Sequence, residues 1–370
     1  MHSPRQVTRH IAAAFIATLI ALAPGAARAQ LGDSPQSLLD ALVEYSPAPT
    51  DGGYLVASGF NFEIEAQGDV AVGITGSGAL SDANIRFLGD LIGAASGYGA
   101  GIAAPVADFF RTRASELVGG GEVALEVMEY LMYVDITAPA EPEPSGGEAA
   151  PATAGPDAVS VRFVPQLIES SRFGPAAHAL GPADATHVVR LFTDLQCPFC
   201  AQFESLGMPI VIDELLPRGD VRFEFHHFPL KSIHPNAVAA AEATECVSDE
   251  VAQASGHQAG EDAFWAYQAA LFDEQQTWAK LPDPIATFVT VADDLELPSE
   301  NLAACIRGGE QGAKIEEAYR SAAQDLRLTG TPTVFVDGLK VSDYRVLADY
   351  LRLMRLSTAL SERAAQADQP

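Results

Sequence analysis

Residues 188–204 decide the fold of the C-terminal half of this chain, and they read VVRLFTDLQCPFCAQFE. A mostly apolar run typical of a buried strand leads into two cysteines, and a helical pattern follows them. Cys197 and Cys200 therefore lie in the first turn of a predicted helix, where free backbone N–H groups and the helix dipole stabilise a thiolate. A thiolate attacks disulfides, and a second thiol three residues later can resolve the mixed disulfide. The stretch predicts a dithiol/disulfide redox site.

A zinc site is the main alternative for a Cys-x-x-Cys pair, and it needs four nitrogen or sulfur ligands. The other cysteines, Cys246 and Cys305, are single and far apart in the sequence. The Pro-Phe dipeptide between the thiols also fits a redox turn better than a zinc knuckle. His226, His227 and His234 lie within nine residues, but no carboxylate cluster accompanies them. We expect no metal site, and a structural or surface role for the three histidines.

The first 29 residues have the pattern of a secretory signal. Arg5 and Arg9 precede an uncharged, mostly apolar run at residues 11–23, and residues 27–29 fit a small-x-small cleavage site. A membrane anchor is the alternative, but the run is too short to span a bilayer comfortably. We expect removal of residues 1–29 and export to the periplasm or the cell envelope.

The composition is strongly acidic, with 22 Lys and Arg residues against 49 Asp and Glu residues and a net charge of −27. Removal of residues 1–29 takes away three arginines and no acid, which leaves 19 basic residues against 49 acidic ones and a net charge of −30. Nucleic acid and anionic membrane surfaces would repel such a protein, so neither is an expected partner.

Length and patterning predict two domains. Residues 30–136 read as a small acidic α+β domain, with a hairpin turn at residues 67–69 and Ser81 as a helix N-cap. Residues 137–158 are rich in Pro, Ala, Glu and Gly without apolar periodicity, which predicts a flexible linker. Residues 159–370 alternate strands and helices around a helical block, which predicts an α/β domain.

A second element of the predicted site is the segment TGTPTVFVDG at residues 329–338. Pro332 opens an apolar strand there, a position that proline tolerates because its missing N–H is not needed. In the cis form it would leave the backbone of Thr331 free to pair with an extended substrate beside the thiols. An ordinary proline at the start of a strand is the alternative.

Residues from about 179 to 356 resemble the DsbA-like branch of the thioredoxin superfamily. The matching motifs follow one another in the family's order: LGPADA at 180–185, TDLQCPFC at 193–200, HFPL at 227–230, HP at 234–235, FW at 264–265 and GTPT at 330–333. The resemblance implies an α/β thioredoxin-like domain with a helical insertion, preceded by a small α+β domain of unknown type. It implies that Cys197 is the exposed nucleophile and Cys200 the buried resolving thiol. Pro332 would be the cis-proline, and the backbone of Thr331 would meet the substrate.

The same resemblance implies an exported thiol:disulfide oxidoreductase that uses its cysteine pair and no bound cofactor. Client polypeptides would be its substrates, with oxidation as the favoured direction, and a membrane quinone-linked protein would reoxidise it. A disulfide reductase or isomerase, with residues 30–136 as a dimerisation module, is one alternative. A non-catalytic binding or scaffold protein is the alternative from another class. The oligomeric state stays open.

Two features depart from the family's pattern. Many members carry an acidic residue six positions before the first cysteine, where it can shuttle a proton to the buried thiol, and this chain has Leu191 there. Either water or another carboxylate, such as Asp194 or Glu224, does that job, or resolution is slower. The active-site dipeptide is Pro198 and Phe199, so no histidine lies between the thiols.

The two remaining cysteines, Cys246 and Cys305, flank the helical block. A disulfide between them would close a loop of about 60 residues and stabilise the fold by up to about 4 kcal/mol in the chain-entropy account. Two buried free thiols are the alternative. We expect the bridge, because disulfides persist in exported proteins.

Overall fold

A computed structural model describes residues 29–138 and 157–367, which form two compact units. The first unit combines the residues up to Gln166 with those from Arg355 onward, and the second runs from Leu167 to Met354. Nearly all of the predicted signal and most of the predicted linker lie outside the described residues. Within the described ranges, no helix has both the length and the apolar character needed to cross a bilayer.

The first unit is built on a seven-stranded antiparallel sheet with the order β1-β2-β3-β4-β7-β6-β5. Strand β6 buries every second residue, which is typical of a sheet with one covered face. The elements of this unit are α1 (Pro35–Ala41), β1 (Ala48–Thr50), β2 (Gly53–Leu55), β3 (Asn61–Gln67), β4 (Val70–Ala79), α2 (Asp82–Ser96), α3 (Ala100–Arg113), β5 (Val123–Val127), β6 (Tyr130–Thr137) and β7 (Ala158–Pro165).

Two local predictions for this unit are confirmed. Gly68 and Asp69 form the two-residue turn between β3 and β4, and Gly68 has φ +61°, a conformation that glycine adopts without steric cost. Ser81 caps α2, because its hydroxyl accepts a hydrogen bond from the backbone N–H of Asn84 at 3.3 Å. Both features depend on residues that are neighbours in the chain.

The predicted role of residues 137–158 as a linker between domains is wrong. Strands β6 and β7 pair directly, with Thr137 opposite Ala158, so the proline-rich segment joins two neighbouring strands of one sheet. Strand β7 also pairs with β4, and the second unit therefore begins at Leu167 and not at residue 159. A long polar insertion is compatible with this pairing, because the entropy of loop closure grows only slowly with loop length.

The second unit has the predicted α/β thioredoxin-like architecture. Its five-stranded sheet has the order β12-β11-β9-β10-β8, in which β9 and β10 are parallel and the other neighbours are antiparallel. The elements are β8 (His178–Leu180), β9 (His187–Thr193), α4 (Pro198–Leu206), β10 (Val221–His227), α5 (Ala237–Ser255), α6 (His257–Asp273), α7 (Gln275–Trp278), α8 (Ile285–Asp294), α9 (Leu302–Gly308), α10 (Gly312–Asp325), β11 (Thr333–Val336), β12 (Leu339–Lys340) and the first part of α11 (Leu347–Ala367).

The redox turn is part of the core of the second unit. Helices of the insertion pack around Tyr267, Trp278 and Phe288, in one buried cluster that also contains both cysteines of the pair. A separate aromatic cluster contains Phe192, from β9. Strand β9 is therefore a buried central strand, and it delivers the Cys-x-x-Cys turn at its carboxyl end.

Candidate active site

Cys197 is the N-cap residue of helix α4. Its backbone is extended, with φ −74° and ψ 123°, as N-cap residues are. Its carbonyl oxygen accepts the backbone N–H of Cys200 at 3.0 Å, which closes the first turn. Pro198 suits the first helical position because an N–H there would have no partner in the helix. This arrangement puts Cys197 at the positive end of the helix dipole.

The Cys197 thiol is the more acidic of the pair. A hydrogen bond from the Cys200 thiol lowers the pKa of Cys197 to about 6, although burial acts in the opposite direction. Thr331 and the backbone N–H groups of Cys200 and Phe199 lower this pKa further. At neutral pH Cys197 is therefore largely a thiolate, which is the reactive form of a cysteine.

Cys200 has the opposite character. Both side chains are buried, with Cys197 3% and Cys200 1% exposed, so the expectation that Cys197 is exposed is wrong. Burial raises the pKa of Cys200 well above that of an ordinary thiol. The neighbouring Cys197 raises it further, while the hydroxyls of Thr193 and Thr331 act against the shift. The backbone N–H of Asp194 points at the Cys200 sulfur from 3.4 Å. The pair thus consists of one ionised thiol and one protonated thiol.

The segment before β11 lies against these thiols. The peptide bond between Thr331 and Pro332 is cis, and the Thr331 carbonyl oxygen is 3.6 Å from the Cys197 sulfur. Strand β11 pairs with β9, with Thr333 opposite Phe192. This pairing brings together Cys197 and Thr331, which are 134 positions apart in the sequence. The two predicted elements of the site are therefore in contact.

Apolar side chains are exposed close to the redox turn and in the loop after β10. Phe199, between the two cysteines, is 65% exposed, and Ile233 is 67% exposed. Asp194 fixes the loop that carries Ile233, because its carboxylate accepts the backbone N–H of Leu230 at 2.8 Å and lies 2.7 Å from Nδ1 of His234. The redox turn and this loop are consequently held together.

Two buried glutamines hold the redox turn, and neither was predicted from the sequence. The side-chain amide of Gln275 donates to the carbonyl oxygens of Leu195 at 2.7 Å and Cys197 at 3.0 Å. The amide of Gln196 donates to the carbonyl oxygen of Ala279 at 2.6 Å. No local sequence signal marks these contacts, because their partners lie about 80 residues away in the chain.

Of the two carboxylates expected to stand in for the acid missing at Leu191, Asp194 is held by hydrogen bonds and Glu224 is held ionised by its neighbours. The Asp194 carboxylate accepts two backbone N–H groups and contacts His234. Burial would raise the pKa of Glu224, but His226, whose Nε2 lies 3.7 Å away, and the charge of Arg190 outweigh it and lower this pKa to about 2. Glu224 therefore stays ionised throughout the neutral range.

The three histidines make three separate contacts. The ring of His226 stacks on Phe192, with centroids 4.6 Å apart, and Nε2 of His227 lies 2.9 Å from Oε1 of Glu245. The third, His234, contacts Asp194 as described. Within residues 29–138 and 157–367, no group of His, Cys, Asp and Glu side chains has an arrangement that could hold a metal ion.

Cys246 on α5 and Cys305 on α9 form a disulfide between residues 59 positions apart. Cys246 belongs to the same buried cluster as the redox pair, and Cys305 packs against it. The bridge therefore joins two helices of the insertion that support the redox turn.

Comparison with known proteins gives partial matches. The chain is 30% identical over 162 residues to the Na(+)/H(+) antiporter NhaA 3 of Salinispora tropica, a match that covers 44% of this chain and 22% of the antiporter. It is 28% identical over 177 residues to the disulfide bond formation protein D of Bacillus subtilis, covering 46% of this chain and 71% of that protein. This chain thus spans about a fifth of the length of the antiporter.

Similar solved structures include oxidised BdbD from Bacillus subtilis, with 22% identity and a TM-score of 0.41, covering 50% of this chain and 92% of that one. Another is α-DsbA1 from Wolbachia pipientis, with 18% identity and a TM-score of 0.42, covering 52% of this chain and 96% of that one.

A thioredoxin family model matches residues 174–354, nearly the whole of the second unit. These residues include the strand β9, the Cys-x-x-Cys turn at the start of α4, and the Thr331–Pro332 segment before β11. Residues 174–354 of this chain therefore form a domain of the thioredoxin superfamily.

Proposed function

We propose that this chain is a thiol:disulfide oxidoreductase that oxidises the thiols of client polypeptides through Cys197 and Cys200. The opposite pKa shifts of the two thiols carry this proposal. A thiol with a lowered pKa is a good leaving group, so a disulfide that contains it is transferred readily. Stabilisation of the Cys197 thiolate also favours the reduced form of the pair, which makes the oxidised form an oxidant.

The reaction takes place in two exchanges. A client thiolate attacks the Cys197 sulfur of the disulfide, the sulfur–sulfur bond breaks, and Cys200 leaves with the electron pair and takes up a proton. A second client thiolate then attacks the client sulfur of the mixed disulfide, and Cys197 leaves as a thiolate. The client gains one disulfide, and the two electrons it loses are held by the reduced cysteine pair.

We propose that the client binds as an extended segment beside Thr331 and Pro332. The carbonyl oxygen of Thr331 already faces the Cys197 sulfur, and backbone pairing at this position would align a client cysteine with it. The exposed Phe199, beside Cys197, offers apolar contact area to the same segment. Unfolded polypeptides fit such a surface, because they expose both backbone and apolar side chains.

We further propose that the protein acts in the periplasm or cell envelope, after removal of residues 1–29, and that a membrane quinone-linked partner reoxidises it. The signal-like sequence and the mature net charge of −30 support this location. No bound cofactor is needed, because the exchanged electrons pass through the cysteine pair alone.

The test combines a reduction potential with a client assay. The Cys197/Cys200 potential is read by alkylation in glutathione buffers, and oxidation of a reduced, unfolded protein is followed by loss of its free thiols. We expect a potential of about −180 mV or higher and no client oxidation by Cys197→Ser. A variant with Cys246 and Cys305 both replaced by Ser is the matched control, since it keeps the redox pair, and should retain activity.

Three outcomes would contradict the proposal in different ways. A potential near about −270 mV, typical of a reducing thioredoxin, would favour the reductase alternative. Full activity of Cys197→Ser would remove this cysteine from the reaction. A parent protein whose Cys197 does not react with alkylating agents after reduction would favour a binding or scaffold role.

A further inference from the structure

We propose that Glu204, one turn after Cys200 on helix α4, gives a proton to Cys200 when its disulfide opens and takes the proton back when the disulfide closes. This inference rests on the proposed function and identifies the group that replaces the acid missing at Leu191. It makes Glu204 the acid–base partner of the buried thiol.

The position of Glu204 on the helix supports this role. Residues four apart on a helix lie on the same face, so Glu204 is on the face of α4 that carries Cys200, one turn further along. Both residues face α6. Cys200 shares a buried cluster with Tyr267 of that helix, and Glu204 is hydrogen-bonded to Gln268, the next residue.

The surroundings of Glu204 fit a neutral carboxylic acid better than a carboxylate. The Nε2 group of Gln268 donates to Oε1 of Glu204 at 3.2 Å, and Gln268 is 2% exposed. The Oε1 atom of Gln268 is buried and has no hydrogen-bond partner among the residues the structure describes. A protonated Glu204 could donate to this oxygen, whereas an ionised carboxylate can only accept. Protonation would thus satisfy a buried acceptor.

The electrostatics agree with this geometry. Burial raises the pKa of Glu204 to about 7, the hydrogen bond from Gln268 opposes the shift, and the negative charge of Asp273 adds to it. The Tyr344 hydroxyl donates a hydrogen bond to Gln202 of α4. Burial raises the pKa of Tyr344 above that of an ordinary tyrosine. Glu204 is therefore well suited to change its protonation state near neutral pH.

The proton balance of the step is simple. When a client thiolate attacks Cys197, the disulfide breaks and Cys200 becomes a thiolate in a site where burial disfavours its charge. The Glu204 carboxylic acid donates its proton to this sulfur, which leaves a thiol and a carboxylate. Part of the Glu204 side chain is exposed, so solvent can restore the proton. In the reverse direction, the carboxylate removes the proton before Cys200 attacks the mixed disulfide.

The experiment compares the parent protein with Glu204→Gln, which keeps the shape and removes the exchangeable proton. The oxidised form of each reacts with an excess of a small dithiol between pH 5 and pH 9, and the opening of the disulfide is timed by acid quench and alkylation. We expect the variant to be slower by at least about tenfold below pH 7, with the difference fading above pH 8 as Glu204 of the parent ionises. Glu214→Gln, which removes an exposed carboxylate from the following segment, should match the parent.

Two further measurements separate a proton-transfer role from a structural one. The Glu204 carboxyl carbon, followed by NMR in the parent, should titrate near pH 7. Gln268→Met should shift this titration, because both the donor and the acceptor of the Gln268 amide are lost beside Glu204. A titration of Glu204 near pH 4.5 would overturn the inference. So would a Glu204→Gln variant that reacts at the same rate as the parent, or is slower by the same factor, at every pH. An unreactive disulfide in the parent would instead remove the proposed function.

Discussion

Replacement of Cys200 by alanine should make Cys197 a much weaker acid. The hydrogen bond from the Cys200 thiol is the largest cause of the low Cys197 pKa, and alanine cannot donate one. The contributions of Thr331 and of the backbone N–H groups at the start of α4 remain in the variant. The change therefore isolates one interaction while the helix terminus stays in place.

The magnitude follows from the strength of that hydrogen bond. A hydrogen bond to a charged group contributes about 1.5–3 kcal/mol, and one pKa unit corresponds to about 1.4 kcal/mol. The pKa of Cys197 should rise from about 6 to between about 7 and 8. At pH 7 the thiolate fraction would fall from about nine-tenths to between about one-half and one-tenth.

The assay is the rate of alkylation of Cys197 by iodoacetamide between pH 4 and pH 9, with thiolate absorbance near 240 nm as a second readout. Cys246 and Cys305 do not contribute, because they form a disulfide. Cys200→Ser is the matched control, since a hydroxyl can still donate, and its Cys197 pKa should lie below that of Cys200→Ala.

Two results would refute this reasoning. If Cys197 titrates at the same pH in Cys200→Ala as in the parent, the thiol–thiol hydrogen bond is not the main cause of its acidity. If Cys197 of the parent titrates near pH 9, the whole arrangement at the start of α4 fails to stabilise the thiolate.

Three other predictions concern stability. Burial raises the pKa of Glu204 from 4.5 to about 7, so the folded protein holds this proton more tightly than the unfolded chain and loses stability as pH rises from 4.5 through 7. Glu204→Gln should therefore be more stable than the parent at pH 8, by at most about 3 kcal/mol, with the advantage absent at pH 4; urea unfolding checks this, and an equal difference at both pH values would contradict it. Replacement of Cys246 and Cys305 by alanine should cost about 2–5 kcal/mol, seen as a lower Tm, and an unchanged Tm would show that the bridge contributes nothing. A Cβ atom at Gly89 would lie 2.5 Å from the carbonyl oxygen of Ala103, so Gly89→Ala should destabilise the first unit by about 1–3 kcal/mol in urea, whereas a surface substitution would have almost no effect.

The N-terminal half shows how far local patterns reach. The turn at Gly68 and Asp69 and the cap at Ser81 could be predicted, because each depends on residues within a few positions. The pairing of Thr137 with Ala158 could not, because nothing in the proline-rich segment between them indicates that its two ends meet. Composition identified a segment without a core of its own, but strand pairing decided what it connects.

The redox site divides in the same way. Cys197 and Cys200 at the start of a helix, and their association with redox chemistry, follow from the local order of strand, turn and helix. The contact between Thr331 and Cys197, by contrast, depends on the pairing of β11 with β9. The support from Gln275 depends likewise on packing across about 80 residues.

The sequence by itself therefore determined which two thiols are proposed to react and the class of fold that presents them. Only the tertiary structure decided their acidities and the candidate proton partner. Both sequence-based candidates, Asp194 and Glu224, turned out to be held by hydrogen bonds or cationic neighbours, while Glu204 is kept near neutral pKa by burial. The physical reason is that residue type and helix position are local properties, whereas desolvation and hydrogen bonding depend on which distant segments pack around a group.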